Sequence, residues 1–133
     1  MNIFKTTISS FDGKGDMAVT LKRPSILTLA KLNKIPNPLL GAAAKLFDFT
    51  SAGESVSIKE IGEILHVIAE ASLIEPLYED VKDSLTDEQL MEIYHYAKEG
   101  ASGLECFRSF RKLYSDSDDG EDEQANGKQY AEN

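Results

Sequence analysis

The chain has 133 residues and a net charge of −9, and 41% of its residues are hydrophobic. That length suits one domain, and the hydrophobic fraction is enough for a packed core. The single cysteine, Cys106, excludes an internal disulfide. No run approaches the roughly 18 apolar residues of a membrane-spanning helix, and the first residues lack the charged and apolar regions of a secretory signal. These features predict a cytoplasmic protein that does not enter a membrane.

The charge is unevenly distributed along the chain. Residues 1–47 carry a balance of +5, residues 48–114 a balance of −8, and residues 115–133 a balance of −6. Phosphate backbones repel an acidic protein, so nucleic-acid binding is not expected. A basic front and an acidic back could attract each other head to tail between copies. The alternative is that these charges only decorate a solvated surface.

The first 23 residues are expected to be extended. Ile3–Ile8 and Met17–Leu21 are rich in β-branched and apolar residues, and the stretch between them contains Asp12, Gly13 and Gly15. This pattern predicts a β-hairpin or an extended arm. Because an isolated two-stranded hairpin is marginally stable in water, it should pack on helices or on a partner.

Short helices are expected after the hairpin. Pro24 suits a first helical position, where no backbone N–H is needed. The apolar positions that follow are interrupted at Ile35–Pro38, because proline breaks the helical pattern. Pro38 can open a second short helix that continues to Phe47, and residues 50–56 are expected to form a loop.

A longer helix is predicted to begin at Ser57, which forms a capping box with Glu60. It should end near Ile74, because Pro76 cannot continue the pattern but can start a short turn through Val81. Its apolar residues recur at helical spacing and predict a central position in the core. They are Ile58, Ile61, Leu65 and Ile68.

A second capping box, Thr86 with Gln89, begins the next helix, which Gly100 is placed to terminate. Its predicted buried face comprises Leu90, Ile93, Tyr94 and Ala97. After Gly103, apolar residues at every third position predict a last amphipathic helix. They are Leu104, Phe107, Phe110 and Leu113.

The predicted organisation is therefore an N-terminal arm or hairpin over residues 1–23, a helical domain over 24–114, and an acidic tail over 115–133. The tail has too little apolar surface to offset the entropy of ordering, so disorder is expected there. The fold class is mainly α, a compact bundle of about five or six short helices.

Three residues are candidates for a metal site or a nucleophile: His66, His95 and Cys106. They do not occur at the spacing of any zinc motif, and a free cysteine on an apolar helix is usually a small buried hydrophobe. We expect ordinary helical side chains, with no metal, no cofactor and no enzymatic activity.

A cluster of carboxylates follows the first long helix. Paired acids can bind a divalent cation or act as general acid and base, but the oxygen-ligand spacing of a calcium loop is absent. A solvated helix face is the simpler interpretation. The residues are Glu75, Glu79, Asp80 and Asp83.

Three segments in order resemble a known family: Lys22–Leu40, Ile74–Asp80, and Leu85–Gly100 leading to the dipeptide Phe107-Arg108. Together they are similar to the tail assembly chaperones of long-tailed, siphovirus-type phages and prophages of Gram-positive bacteria. The resemblance spans about residues 20–111. The order and spacing of the segments carry it more than any one motif.

The resemblance implies a non-catalytic role in virion morphogenesis. Members of the family bind the tape measure protein and keep it soluble until the tail tube protein polymerises around it. They act in the cytoplasm of the bacterial host and are typically absent from the mature virion. In many members a ribosomal frameshift appends a further domain. The expected partners are the tape measure protein, other copies of the same chain, and the tail tube protein.

Self-association should weaken with salt if it depends on complementary charges. The candidate interaction residues are Lys22, Arg23, Lys31 and Lys34 on the basic front, and Glu75, Glu79, Asp80 and Asp83 on the acidic side. A small acidic regulatory or adaptor module, with its tail in a basic site of a partner, is the alternative function.

Overall fold

A computed structural model of the chain describes the backbone of residues 3–49 and 56–119, and their side chains except at 112 and 114–119. Within these ranges the fold is mainly helical, with one small antiparallel sheet. In chain order the elements are β1 (Ile3–Ser9), β2 (Asp16–Lys22), α1 (Ile26–Lys31), a 3-10 turn (Asn37–Leu39), α2 (Leu40–Leu46), α3 (Ile58–Ser72), β3 (Leu73–Glu75), α4 (Tyr78–Val81) and α5 (Asp87–Asp119).

The N-terminal hairpin is confirmed, with β1 and β2 in antiparallel register. A third strand, β3, pairs with β2 and gives the order β1-β2-β3. The sequence pattern predicted a helix to near Ile74, but α3 ends at Ser72 and the next three residues form β3. This strand was not predicted. The third strand and the helices beneath the sheet supply the support that an isolated hairpin lacks.

The start of α1 differs from the prediction. Ser25 is the N-cap, and its side chain accepts a hydrogen bond from the N–H of Thr28. Pro24 therefore precedes the cap instead of occupying the first helical position. Pro38 lies in the 3-10 turn that leads into α2, as expected. Of the loop predicted over residues 50–56, only Val56 lies within the described residues.

Both capping boxes are confirmed. Ser57 and Glu60 bond each other's backbone N–H groups at the start of α3, and Thr86 and Gln89 do the same before α5. One apolar position was misassigned: Ile58 is 87% exposed instead of facing the core. The first turn of α3 thus points an isoleucine outward.

Gly100 reverses the direction of α5. It has φ 80° and ψ −161°, a conformation that is essentially restricted to glycine. Residues on the two sides then pair in antiparallel order: Glu88 with Arg111, and Glu92 with Arg108. We call residues 87–99 the inner arm and residues 101–119 the outer arm of this helical hairpin.

The core lies between the inner face of the sheet, α3 and the inner arm. Its fully buried large side chains include Ile8, Leu21, Ile64, Ile68, Ile93 and Leu104. All four residues predicted for the buried face of the inner arm are buried. The outer arm agrees only in part, because Phe110 is 55% exposed and Leu113 is 68% exposed.

The outer arm continues to Asp119, past the predicted boundary at Tyr114. Residues 120–133, the larger part of the expected disordered tail, lie outside the described residues. None of the described helices is long and apolar enough to cross a membrane.

Candidate functional site

The two histidines and the cysteine lie apart, each with its own surroundings. His66 Nδ1 is 2.8 Å from the Tyr78 hydroxyl, and His95 stacks on Phe107 with ring centroids 4.4 Å apart. Burial lowers the pKa of His95 below its ordinary 6.5. Cys106 is exposed, so the prediction of a buried thiol was wrong. Among the described residues, no three His, Cys, Asp or Glu side chains converge in a way that could hold a metal ion.

The predicted acidic residues follow α3 and are all exposed: Glu75, Glu79, Asp80 and Asp83. Glu79 forms an ion pair with Lys82 at 3.0 Å. This pair, on one turn of helix at the surface, contributes little to stability. The arrangement agrees with a solvated face.

The predicted basic residues Lys22, Arg23, Lys31 and Lys34 are all exposed. Arg23 is also engaged within the chain. Its Nε donates to the carbonyl of Ala97 at 3.1 Å, and its guanidinium also donates to the carbonyl of Lys98. These carbonyls belong to the last turn of the inner arm, so Arg23 caps a helix C-terminus.

The basic and acidic segments also meet within the fold. β3 pairs with β2 so that Glu75 lies opposite Thr20, two residues from Lys22. A head-to-tail contact needs the two charges at opposite ends of a copy. Here the sheet holds one member of each set, Lys22 and Glu75, and head-to-tail attraction between copies stays a prediction.

A buried polar cluster that the sequence pattern did not predict joins the hairpin to α5. Ser9 donates from its N–H to Glu92 Oε1 at 2.9 Å and from its hydroxyl to Oε2 at 3.1 Å. Arg108 Nε lies 3.2 Å from Glu92 Oε2, and Gln89 Nε2 donates to the Ser9 carbonyl at 2.9 Å. Side chains of α5 thus occupy the place of a neighbouring strand at the outer edge of β1.

Burial raises the pKa of Glu92 above its ordinary 4.5, against the opposing effects of Ser9 and Arg108. An open cavity of about 480 Å³ adjoins this cluster. Its charged lining includes Lys14, Arg108 and Arg111 together with Asp16, Glu88 and Glu92. Because the signs balance and the arginines are already paired, we assign the cluster to holding the hairpin in place.

An apolar groove of about 470 Å³ lies between the 3-10 turn and the first half of α3. Gly62 leaves a gap in the helix surface, one turn from Ile58 and one turn from His66. Leu39 and Val67 line the groove, and Lys59 and Glu63 lie beside its apolar residues. A concave apolar strip of this kind can receive one face of a helix.

No protein family, curated protein or solved structure was found to match this chain.

Proposed function

We propose that this chain is a tail assembly chaperone that binds the tape measure protein and keeps it soluble during phage tail morphogenesis. The three segments that resemble this family support the proposal. The groove supports it physically: one wall carries Leu39, from the first of these segments, and the other is α3.

The single observation that carries the proposal is the exposed apolar surface at this groove. Ile58 is 87% exposed beside Gly62, which adds no side chain of its own. Burying an isoleucine is worth about 1.5–3 kcal/mol, so its exposure favours an apolar partner. A tape measure helix, with apolar residues every three or four positions, has the shape to fill the groove.

The groove is also suited to release. It is shallow, and the charged Lys59 and Glu63 lie at its side. A contact of this size is weak on its own, but many copies along one extended chain bind with high combined strength. The coat can then be displaced one copy at a time as tail tube protein is added.

Self-association is part of the proposal, since a cooperative coat requires contacts between copies. Complementary charge remains the proposed source of its salt sensitivity. The eight charged candidates remain proposals for interaction, with Arg23 already committed to an intramolecular contact.

The experiment is co-expression of the chain with the tape measure protein of the same phage or prophage, followed by affinity capture. Ile58→Lys should reduce capture about tenfold or more, because it places a charge in the apolar groove. Leu27→Lys is the matched control, since Leu27 is 66% exposed on α1 and does not line the groove.

Capture that is equally strong for wild type, Ile58→Lys and Leu27→Lys would overturn the assignment of the groove. Failure of the wild-type chain to retain or solubilise the tape measure protein would overturn the function itself.

A further inference from the structure

The sheet has an outer face that points away from the core. Side chains alternate between the two faces of a strand, and Ile8, Val19 and Leu21 are buried on the inner face. The residues between them lie on the outer face: Ile3, Lys5, Thr7, Ala18, Thr20, Lys22 and Glu75. All of these are exposed except Thr20, which is half-buried. An open cavity of about 420 Å³ lies over the middle of this face.

Two opposite charges stand in one row across the outer face. Lys5 on β1 and Glu75 on β3 each lie directly opposite Thr20, on the two sides of β2. Because neighbouring strands are about 4.8 Å apart, the backbones of Lys5 and Glu75 are separated by about 10 Å. Neither side chain forms an ion pair with another residue in the described part of the chain. A partner that carries the same two charges in reversed order would pair with both.

We propose that the outer face of the sheet packs against the same face of a second copy, across a two-fold axis parallel to the strands. This rotation exchanges the two edges of the sheet, so Lys5 of each copy faces Glu75 of the other. The contact then contains two equal pairs of opposite charges, as a self-complementary interface requires. Ala18 and Thr20 of β2 lie beside the axis, and their small side chains let two sheets pack face to face.

The alternative two-fold axis, perpendicular to the strands and passing over Thr20, has the opposite electrostatics. It would set Lys5 of one copy against Lys5 of the other, and Glu75 against Glu75. Like charges that face each other are destabilising, so charge selects the axis parallel to the strands. Lys22 also lies near the selected axis, but at the end of β2, where its long side chain reaches solvent.

The proposed contact is small. Three strands about 4.8 Å apart, and about seven residues long at about 3.3 Å each, give a footprint of about 300 Å² per copy. A standard stable interface buries about 800 Å² per partner, so this pairing is weak between free copies. It becomes effective where many copies are held along one extended chain. The inference thus deepens the proposed self-association and rests on that part of the proposed function, but not on tape measure binding.

The test is sedimentation of the full chain, without any partner, over a concentration series that reaches the limit of its solubility. Wild type should dimerise at the upper end of the series. Lys5→Glu and Glu75→Lys should each weaken dimerisation about tenfold or more, because either change turns both pairs into like-charge contacts. The double variant Lys5→Glu, Glu75→Lys should dimerise like wild type, and an equimolar mixture of the two single variants should form mixed dimers equally well.

Lys14→Glu is the matched control, since it changes the net charge as Lys5→Glu does. Lys14 is exposed in the turn between β1 and β2, away from the outer face of the sheet. This control should dimerise like wild type, and far-UV circular dichroism checks that each variant is folded.

A wild type that stays monomeric at every concentration would overturn the interface, and so would single variants that dimerise as well as wild type. Single variants that fail to dimerise, with no recovery in the mixture or the double variant, would overturn the pairing of Lys5 with Glu75. Because no tape measure protein is present, these results are distinct from a failure of the chaperone function.

Discussion

Glu92 is a carboxylate at 1% exposure, held by Ser9 and Arg108. Removing a carboxylate from water costs free energy that hydrogen bonds and one ion pair only partly recover. The pKa of Glu92 is raised because burial outweighs the opposing effects of Ser9 and Arg108. The group therefore fixes where the hairpin docks on α5 more than it increases stability.

The pH dependence of stability tests this interpretation of Glu92. Because the folded-state pKa of Glu92 lies above its ordinary 4.5, its contribution is complete below pH 4.5 and falls as pH rises through the folded value. The free energy of unfolding of wild type, relative to Glu92→Gln, should decrease from pH 4.5 towards neutrality. Urea unfolding of both proteins across this range measures the difference.

Glu105→Gln is the control for Glu92→Gln, since Glu105 is an exposed glutamate on the same element. Its difference from wild type should vary less over the same pH range. A wild type that instead gains stability over Glu92→Gln as pH rises would show that Arg108 outweighs burial.

At the scale of a whole element, α5 is a helical hairpin that depends on two glycines for different reasons. Gly100 adopts φ 80° and ψ −161°, where a side chain is strained. Gly103 lies where the chain is crowded: an added Cβ would be 2.8 Å from the His95 carbonyl oxygen and 2.6 Å from Glu99 Cβ. Gly100 is needed for its backbone conformation, and Gly103 is needed because no side chain fits at that position.

Alanine substitutions separate these two demands. Gly100→Ala should lower the free energy of unfolding by about 1–3 kcal/mol through backbone strain. A steric clash does not contribute, since the added Cβ would meet nothing closer than 3.6 Å. Gly103→Ala should destabilise by about 1–3 kcal/mol through overpacking. Gly41→Ala, in α2 with open space around it, should stabilise by up to about 1 kcal/mol. Thermal unfolding of the three variants measures these changes in stability. Unchanged stability of both Gly100→Ala and Gly103→Ala would contradict the helical hairpin.

Local signals predicted the elements well, because their causes lie within a few residues. The capping boxes at Ser57 and Thr86 and the break at Gly100 are of this kind. The strand β3 was missed, since three residues adopt it only where β2 offers an edge. Gln89 shows both cases: its bond to Thr86 was predictable, and its bond to Ser9, eighty residues away, was not.

At the scale of the whole molecule, the charge segregation along the sequence does not become a segregation in space at the sheet. Pairing of β2 with β3 sets Glu75 opposite Thr20, two residues along the strand from Lys22, and Arg23 caps the inner arm. The candidate site was thus predictable in kind, as apolar helical surface. Its location was not, because Ile58 was assigned to the core and is exposed instead.

The proposed binding of the tape measure protein in the groove is tested most directly by hydrogen–deuterium exchange of the chain, alone and mixed with that protein. Exchange should slow in the first half of α3, around Ile58 and Gly62, and in the facing 3-10 turn at Asn37–Leu39. Slowed exchange confined to other elements, or unchanged exchange in a saturated mixture, would contradict binding of the tape measure protein in this groove.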